Sequence, residues 1–276
     1  MIIFGGTGFI GSQYKELYPG WTGNLVIHRD ENTIPRADDV LYLISTVDNY
    51  NVFTNPTLDV ETNLLKLMQI LPNIARKIKG TKYVFNFVSS WFVYGQRDNA
   101  QRFKEDDVCS PKGFYSITKK CAEDLVESYC KTHNVKYRIL RLGNVYGVTD
   151  KKASAKKNAL NFLLDKINRN DPISLYNGGH FYRDYTHVSD ICAGINLVCN
   201  SGKFNEIYNI ATGKSHRFLD IIMSAILMSN STSVITSIEP TDFHKQVQVK
   251  DCFMNTAKIE SLGFKPLYNV IDHPFK

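Results

Sequence analysis

No apolar run in this 276-residue chain reaches the roughly 18 residues that a membrane-spanning helix requires. Met1 leads directly into a short strand rather than into a basic segment followed by an apolar core. The expectation is a cytoplasmic protein with no membrane partner. Cysteine is present at six positions but never as C-x-x-C, and a chain of this length buries a core without cross-links, so the thiols are expected to be reduced. Cys192 and Cys199 stand seven apart on a helical stretch at 188–200 and should share its buried face. The seven histidines lack close metal-ligand spacing, so no metal site is expected. Internal repeats and low-complexity linkers are missing too. The excess of positive charge is small: 33 Lys and Arg against 27 Asp and Glu, a formal +6. Its densest run, 151–157, has no interleaved aromatics, which argues against nucleic acid and for a solvated loop or a gate beside the phosphates of a small ligand.

What is present alternates strand and helix. Ile2-Ile3-Phe4 reads as a strand, and Gly5, Gly8 and Gly11 follow in G-x-x-G-x-x-G spacing before a helix that runs to about Tyr18. Glycines there permit a tight turn and close approach of backbone to a pyrophosphate, with the helix N-terminus facing the negative charge. A second strand, 24–27, ends at His28-Arg29-Asp30. An acid at that distance from the glycines suits the ribose hydroxyls of NAD and an arginine suits the 2′-phosphate of NADP; Arg29 with His28 favours NADP. The next strand, 40–45, follows after a gap too short for another helix and strand, so the usual third strand of a dinucleotide-binding sheet is expected to be missing or reduced. A helix after Pro56 should bury Leu64, Leu65, Leu67, Met68 and Leu71. The apolar run 83–88 reads as a buried parallel strand, which puts Ser90 at a carboxyl end, where open α/β sheets bind ligands. Tyr115 and Lys119, four apart at the start of a helix, share one face. A hydroxyl, a phenol and an ammonium gathered there could move a proton to or from an alcohol or ketone. Another strand at 137–142 runs into Gly143-Asn144-Val145-Tyr146-Gly147. The expected fold is α/β: a Rossmann-type doubly wound parallel sheet over 1–148, helped by the helix near 188–200, and a small α/β substrate-binding lobe over 149–276 that does not fold alone.

In order along the chain stand the glycine motif, S-S-x-x-V-Y-G from Ser89, Y-x-x-x-K from Tyr115, R-x-x-N-V-Y-G from Arg141, R-D-Y-x-H-V-x-D from Arg183 and Y-N-I-x-T-G from Tyr208. Together they resemble the extended short-chain dehydrogenase/reductases, in the branch of nucleotide-sugar epimerases, 4,6-dehydratases and 4-ketoreductases. The resemblance implies that Ser90 polarises a sugar oxygen, that Tyr115 is the general acid/base, and that Lys119 holds the nicotinamide ribose and lowers the tyrosine's pKa. It implies cofactor contacts at Gly5, Thr7, Gly8, Phe9, Ile10, Gly11, His28, Arg29 and Ser45. Substrate contacts fall at Trp91, Phe92, Asn144, Lys157, Asn158 and Arg183, whose guanidinium suits a diphosphate. The substrate would be a nucleotide-diphosphate sugar and the assembly a homodimer. Where 4,6-dehydratases carry an Asp-Glu pair after the serine or threonine, this chain has Trp91-Phe92, so elimination of water lacks its acid and base. A 4-ketoreductase using NADPH and a 4-epimerase using NAD both remain. A non-catalytic dinucleotide sensor or scaffold of the same fold is the alternative from another class, and it would be expected to have lost part of Ser90, Tyr115 and Lys119.

Overall fold

The computed structural model describes residues 1–20, 23–96, 102–147, 158–247 and 251–276. In chain order the first half comprises β1 (Ile2–Phe4), α1 (Phe9–Leu17), β2 (Leu25–Ile27), β3 (Val40–Tyr42), α2 (Asn51–Thr54), α3 (Leu58–Val60), a π-helical turn (Glu61–Leu65), α4 (Lys66–Ile78), β4 (Val84–Ser90), a 3₁₀ turn (Trp91–Tyr94), α5 (Phe114–Thr132), β5 (Lys136–Leu142) and β6 (Asn144–Tyr146). The second half comprises α6 (Ala159–Asn168), β7 (Ile173–Tyr176), β8 (Tyr182–Arg183), β9 (Tyr185–His187), α7 (Val188–Ser201), β10 (Glu206–Ile210), β11 (His216–Arg217), α8 (Phe218–Met228), β12 (Ile235–Ile238), α9 (Asp242–Val247) and α10 (Ala257–Glu260).

Six strands form one parallel sheet in the order β10-β5-β4-β3-β1-β2. Because successive strand residues face opposite sides, Ile2 and Phe4 enter one core with Leu67, Ile70 and Ile74 of α4 and Ala122 and Val126 of α5. Ile3 enters the other with Tyr14 of α1 and Val188, Ile191, Cys192 and Ile195 of α7. Among the described residues no strand lies outside β2, which matches the short gap after it and leaves that edge open. Order 3-2-1-4-5-6 would have put one there. No helix among the described residues is long and apolar enough to cross a membrane.

Two expectations are corrected. Leu65 is 55% exposed, whereas Leu67 and Leu71 are fully buried. The π turn at Glu61–Leu65 takes more residues per turn than an α-helix and rotates Leu65 away from the sheet, while Asn63 is turned inward. The boundary at residue 148 is also crossed, since β10, from the second half of the chain, pairs in parallel with β5 and completes the sheet. Of the other second-half elements, α7 and α10 pack on the sheet, while α6, β7 and α8 gather around a cluster of their own, which includes Leu160, Leu164, Ile173, Phe218, Ile221 and Ile222.

Helix α5 is tied to the sheet by charge as well as by packing. Arg141 of β5 donates from Nε to Glu123 Oε1 at 3.0 Å and from Nη2 to Oε2 at 2.7 Å, and both side chains are buried. Its remaining Nη1 donates to the Glu105 carbonyl at 3.1 Å, and its guanidinium lies 4.7 Å from the Tyr94 ring centroid. Removing one member would leave the other charge buried without its partner, which typically costs about 3–5 kcal/mol. Glu123→Ala should therefore lower the unfolding free energy by at least about 3 kcal/mol in urea denaturation; a loss below about 1 kcal/mol would mean that the pair does not hold α5.

Candidate active site

The strand carboxyl ends converge on Tyr115. Ser90 closes β4 and is the N-cap of the 3₁₀ turn, its Oγ accepting from Phe92 N at 3.4 Å. Ser45 lies just past the end of β3. Tyr115 is the second residue of α5, with the hydroxyls of Ser90 and Ser45 near enough to act on its ionisation. Burial raises the Tyr115 pKa above the ordinary phenol range. The two serine hydroxyls oppose that rise, and the carboxylate of Asp59 adds to it. The rings of Phe92 and Tyr115 meet in a T-shaped contact with centroids 6.1 Å apart.

Lys119 lies one helical turn further on and is 2% exposed. Its Nζ donates to the Val88 carbonyl at 2.6 Å and sits 4.2 Å from the Phe87 ring centroid. Burial pushes its pKa down to about 7, against the charge of Glu123, which favours the ammonium.

Asn63 of the π turn is central to this end of the sheet. Its Oδ1 accepts from Thr46 N at 3.0 Å and Ser45 Oγ at 3.1 Å, and its Nδ2 donates to Thr46 Oγ1 and Thr118 Oγ1, each at 2.9 Å. The inward turn of a polar residue within an otherwise apolar stripe is the signal that could have found it. Asp59, also not singled out from the sequence, is buried and accepts from Asn51 Nδ2 at 3.3 Å.

The glycine loop fits a dinucleotide's pyrophosphate. Gly5 has φ +79°, where a side chain would be strained, and its Cβ would stand 3.0 Å from the Leu43 carbonyl carbon. A Cβ on Gly11 would come within 2.6 Å of the Gly5 oxygen, so the helix can approach the loop only without one. Gly8 caps α1, Thr7 is exposed, and Phe9 and Ile10 pack on the α1 and α7 side of the sheet. His28 and Arg29 are exposed beyond the end of β2, and Arg29 Nη2 donates to Thr62 Oγ1 at 2.8 Å.

On the other side, Trp91 is buried with Val93, Tyr94, Phe103 and Met254, and its ring packs against that of Phe92 with centroids 4.3 Å apart. The Arg183 guanidinium lies 5.5 Å from the Trp91 ring centroid and 4.7 Å from that of Phe181. The neighbouring Asp184 carboxylate is buried and accepts from Thr212 N, Thr212 Oγ1 and Gly213 N, its pKa pushed up to about 6 by burial against those hydrogen bonds. Asn144 donates from Nδ2 to the Asp184 carbonyl at 3.2 Å, and Asn158 caps α6. Lys157 and the basic run lie outside the described residues. A further contact spans the two halves of the chain: Tyr50 Oη and His244 Nδ1 are 2.8 Å apart, and burial and the charge of Arg183 both lower the His244 pKa.

A parallel sheet with a glycine turn after β1 and a serine, tyrosine and lysine at its carboxyl edge defines a Rossmann-type dehydrogenase/reductase fold. The sequence profile of the NAD dependent epimerase/dehydratase family matches residues 31–211, and the chain belongs to that family. A relative from Methanocaldococcus jannaschii, provisionally named UDP-glucose 4-epimerase, is 29% identical over 96% of this chain and 93% of its own length. The dTDP-glucose 4,6-dehydratase of Streptomyces antibioticus is 24% identical over 96% of this chain and 87% of its own. The UDP-glucose 4-epimerase of Thermus thermophilus, solved with NAD, superposes with a TM-score of 0.84 at 20% identity, covering 99% of this chain and 97% of that one.

The Lys119 environment makes a stability prediction. Its pKa is about 7 folded against an ordinary 10.5, so between those values the unfolded chain binds more protons and stability rises with pH. The burial cost is fully present below about pH 7. Lys119→Met should therefore gain stability relative to the parent at about pH 6, with the gap narrowing steadily to about pH 9 in paired urea titrations. A difference that does not change with pH would contradict the depressed pKa.

Proposed function

We propose that the protein transfers hydride between a nicotinamide dinucleotide and carbon 4 of a nucleotide-diphosphate sugar, with Tyr115 as the proton donor or acceptor. The observation that carries this reading is Tyr115 and Lys119 one turn apart on α5, packed beside the end of β4 that carries Ser90, with the Phe92 ring after Ser90 against Tyr115. The dinucleotide, when bound, supplies or takes the hydride. Ser90 polarises the sugar oxygen, since its hydroxyl proton is not committed to the backbone: the Oγ is an acceptor towards Phe92 N. Tyr115 exchanges the proton with that same oxygen. Lys119, desolvated and anchored on Val88, lies where it can turn to ribose hydroxyls. Phe92 walls the site beside Tyr115, and Arg183, flanked by Trp91 and Phe181, takes the diphosphate. Asn144, Lys157 and Asn158 belong to the same substrate side.

Reduction of a 4-keto sugar with NADPH is the first reading, favoured by the exposed Arg29 and His28 after β2. Epimerisation at carbon 4 with NAD is the second, favoured by the name of the 29% identical relative. Dehydration is disfavoured because the positions after Ser90 are Trp91, buried in an apolar cluster, and Phe92. Mass and absorbance spectra of the purified protein separate these readings. Consumption of NADPH that requires a keto sugar supports the reductase. NAD retained through purification, with interconversion of sugar epimers, overturns it in favour of the epimerase. Binding of a dinucleotide without either activity leaves the sensor alternative. Tyr115→Phe should lower turnover by about 100-fold or more while leaving cofactor affinity within a few-fold; an unchanged rate would remove Tyr115 from this role.

The chain is read as a homodimer. Val60 of α3, Leu65 of the π turn, and Phe114 and Ile117 of α5 are exposed on elements that pack together. A second copy would cover them. Ile117→Asp should shift the mass in multi-angle light scattering from about two chains to one; an unchanged dimer would rule out this face.

A further inference from the structure

We propose that Trp91 is a positioning residue for substrate binding: its ring orients the Arg183 guanidinium and so ties the diphosphate anchor to the turn that carries Ser90. The inference rests on the reading of Arg183 as the group that takes the diphosphate and adds a residue to it. Three observations carry it. Trp91 is 1% exposed, so it has almost no surface to offer a ligand and acts through a neighbour instead. That neighbour is Arg183, whose guanidinium lies over the Trp91 ring, 5.5 Å from its centroid, and over the Phe181 ring at 4.7 Å. Trp91 also stands between Ser90 and Phe92 on the 3₁₀ turn, and the Phe92 ring meets that of Tyr115.

A guanidinium is planar and weakly hydrated, so an aromatic face restricts its tilt without consuming any of its N–H groups. Within its own plane the fork is turned by a hydrogen bond from Nη1 to the Tyr182 carbonyl at 3.0 Å. The ring that does the stacking is itself held. It is buried with Val93, Tyr94, Phe103 and Met254 and packs on Phe92 with centroids 4.3 Å apart. The turn beneath it is pinned at both ends, by Phe92 N on Ser90 Oγ at 3.4 Å and by Tyr94 Oη on Asn209 Oδ1 at 2.7 Å. Arg183 comes to this turn from β8, in the second half of the chain. One rigid side chain therefore sets the span from the diphosphate anchor to Ser90, and with it which sugar carbon lies beside Ser90 and Tyr115. A flexible side chain in place of Trp91 would leave the guanidinium to be ordered anew at each binding event, which weakens binding.

The test measures binding of UDP-glucose and of dTDP-glucose by calorimetry, with NAD and NADPH as controls. Trp91→Leu should weaken binding of the sugar nucleotide by about 10-fold or more and leave dinucleotide affinity within about 2-fold, whereas Trp91→Phe, which keeps an aromatic face, should stay within about 3-fold of the parent. A loss below about 2-fold in Trp91→Leu, with an unchanged circular dichroism spectrum, overturns the proposal, as does an equal loss in Trp91→Phe. The indole gives a second readout that needs no substrate and leaves Trp91 in place. In a Trp21→Phe background Trp91 is the only tryptophan, and Arg183→Met should shift its fluorescence maximum, because a cation over the ring acts on the excited indole. An unshifted maximum overturns the proposal. A shifted maximum in a parent that binds neither sugar nucleotide overturns the diphosphate reading of Arg183 and leaves Trp91 as the residue that orients it.

Discussion

The buried pair of Glu123 and Arg141 is the constraint on which the rest depends. Arg141 is part of β5, and β5 is in register with β4 so that Ser90 lies opposite Leu142, the next residue. Glu123 is two turns of α5 beyond Tyr115 and one beyond Lys119. A bidentate bond between them therefore sets how far along the sheet α5 sits, and with it the distance from Tyr115 to Ser90. The same guanidinium reaches the Glu105 carbonyl and the Tyr94 ring, and Tyr94 Oη donates to Asn209 of β10 at 2.7 Å. One charged group thus coordinates the helix that carries the acid/base residue, the turn after Ser90, and the strand that closes the sheet.

Burial shapes the chemistry of that helix in opposite directions. It holds Tyr115 as a phenol and pushes Lys119 towards its neutral amine, since in each case the charged form loses solvation. Hydroxyl donors from the ends of two strands counter the first effect and a carboxylate one turn away counters the second. A site built this way keeps its proton until a partner stabilises the charge, which is the property wanted in a group that hands a proton to a sugar oxygen.

Motif residues outside the site prove to be anchors for backbone. Asp184 gathers the N–H groups of Thr212 and Gly213, Asp190 accepts from Leu267 N and Tyr268 N at 2.9 Å each, and Asn209 donates to the carbonyls of Phe103 and Asn255. Their spacing was readable, but their work was not, because the groups they satisfy come from segments 28 to 106 residues away. The exposure of Leu65 was hidden for a related reason: a single π turn shifts helical phase without leaving a composition signal.

What the chain determined by itself was local. Apolar runs of strand length, glycines at a turn and a tyrosine four residues before a lysine specify elements and faces, because each depends only on neighbours in sequence. The short gap after β2 likewise argued against a strand outside it. Which element lies beside which was decided by folding: β10 enters the sheet from beyond residue 200, Asn63 meets Thr118 across 55 residues, and Lys119 reaches the Val88 carbonyl. Those contacts arise because a parallel sheet aligns the carboxyl ends of strands distant in sequence, so the chemistry at that edge belongs to the tertiary structure and not to any one segment.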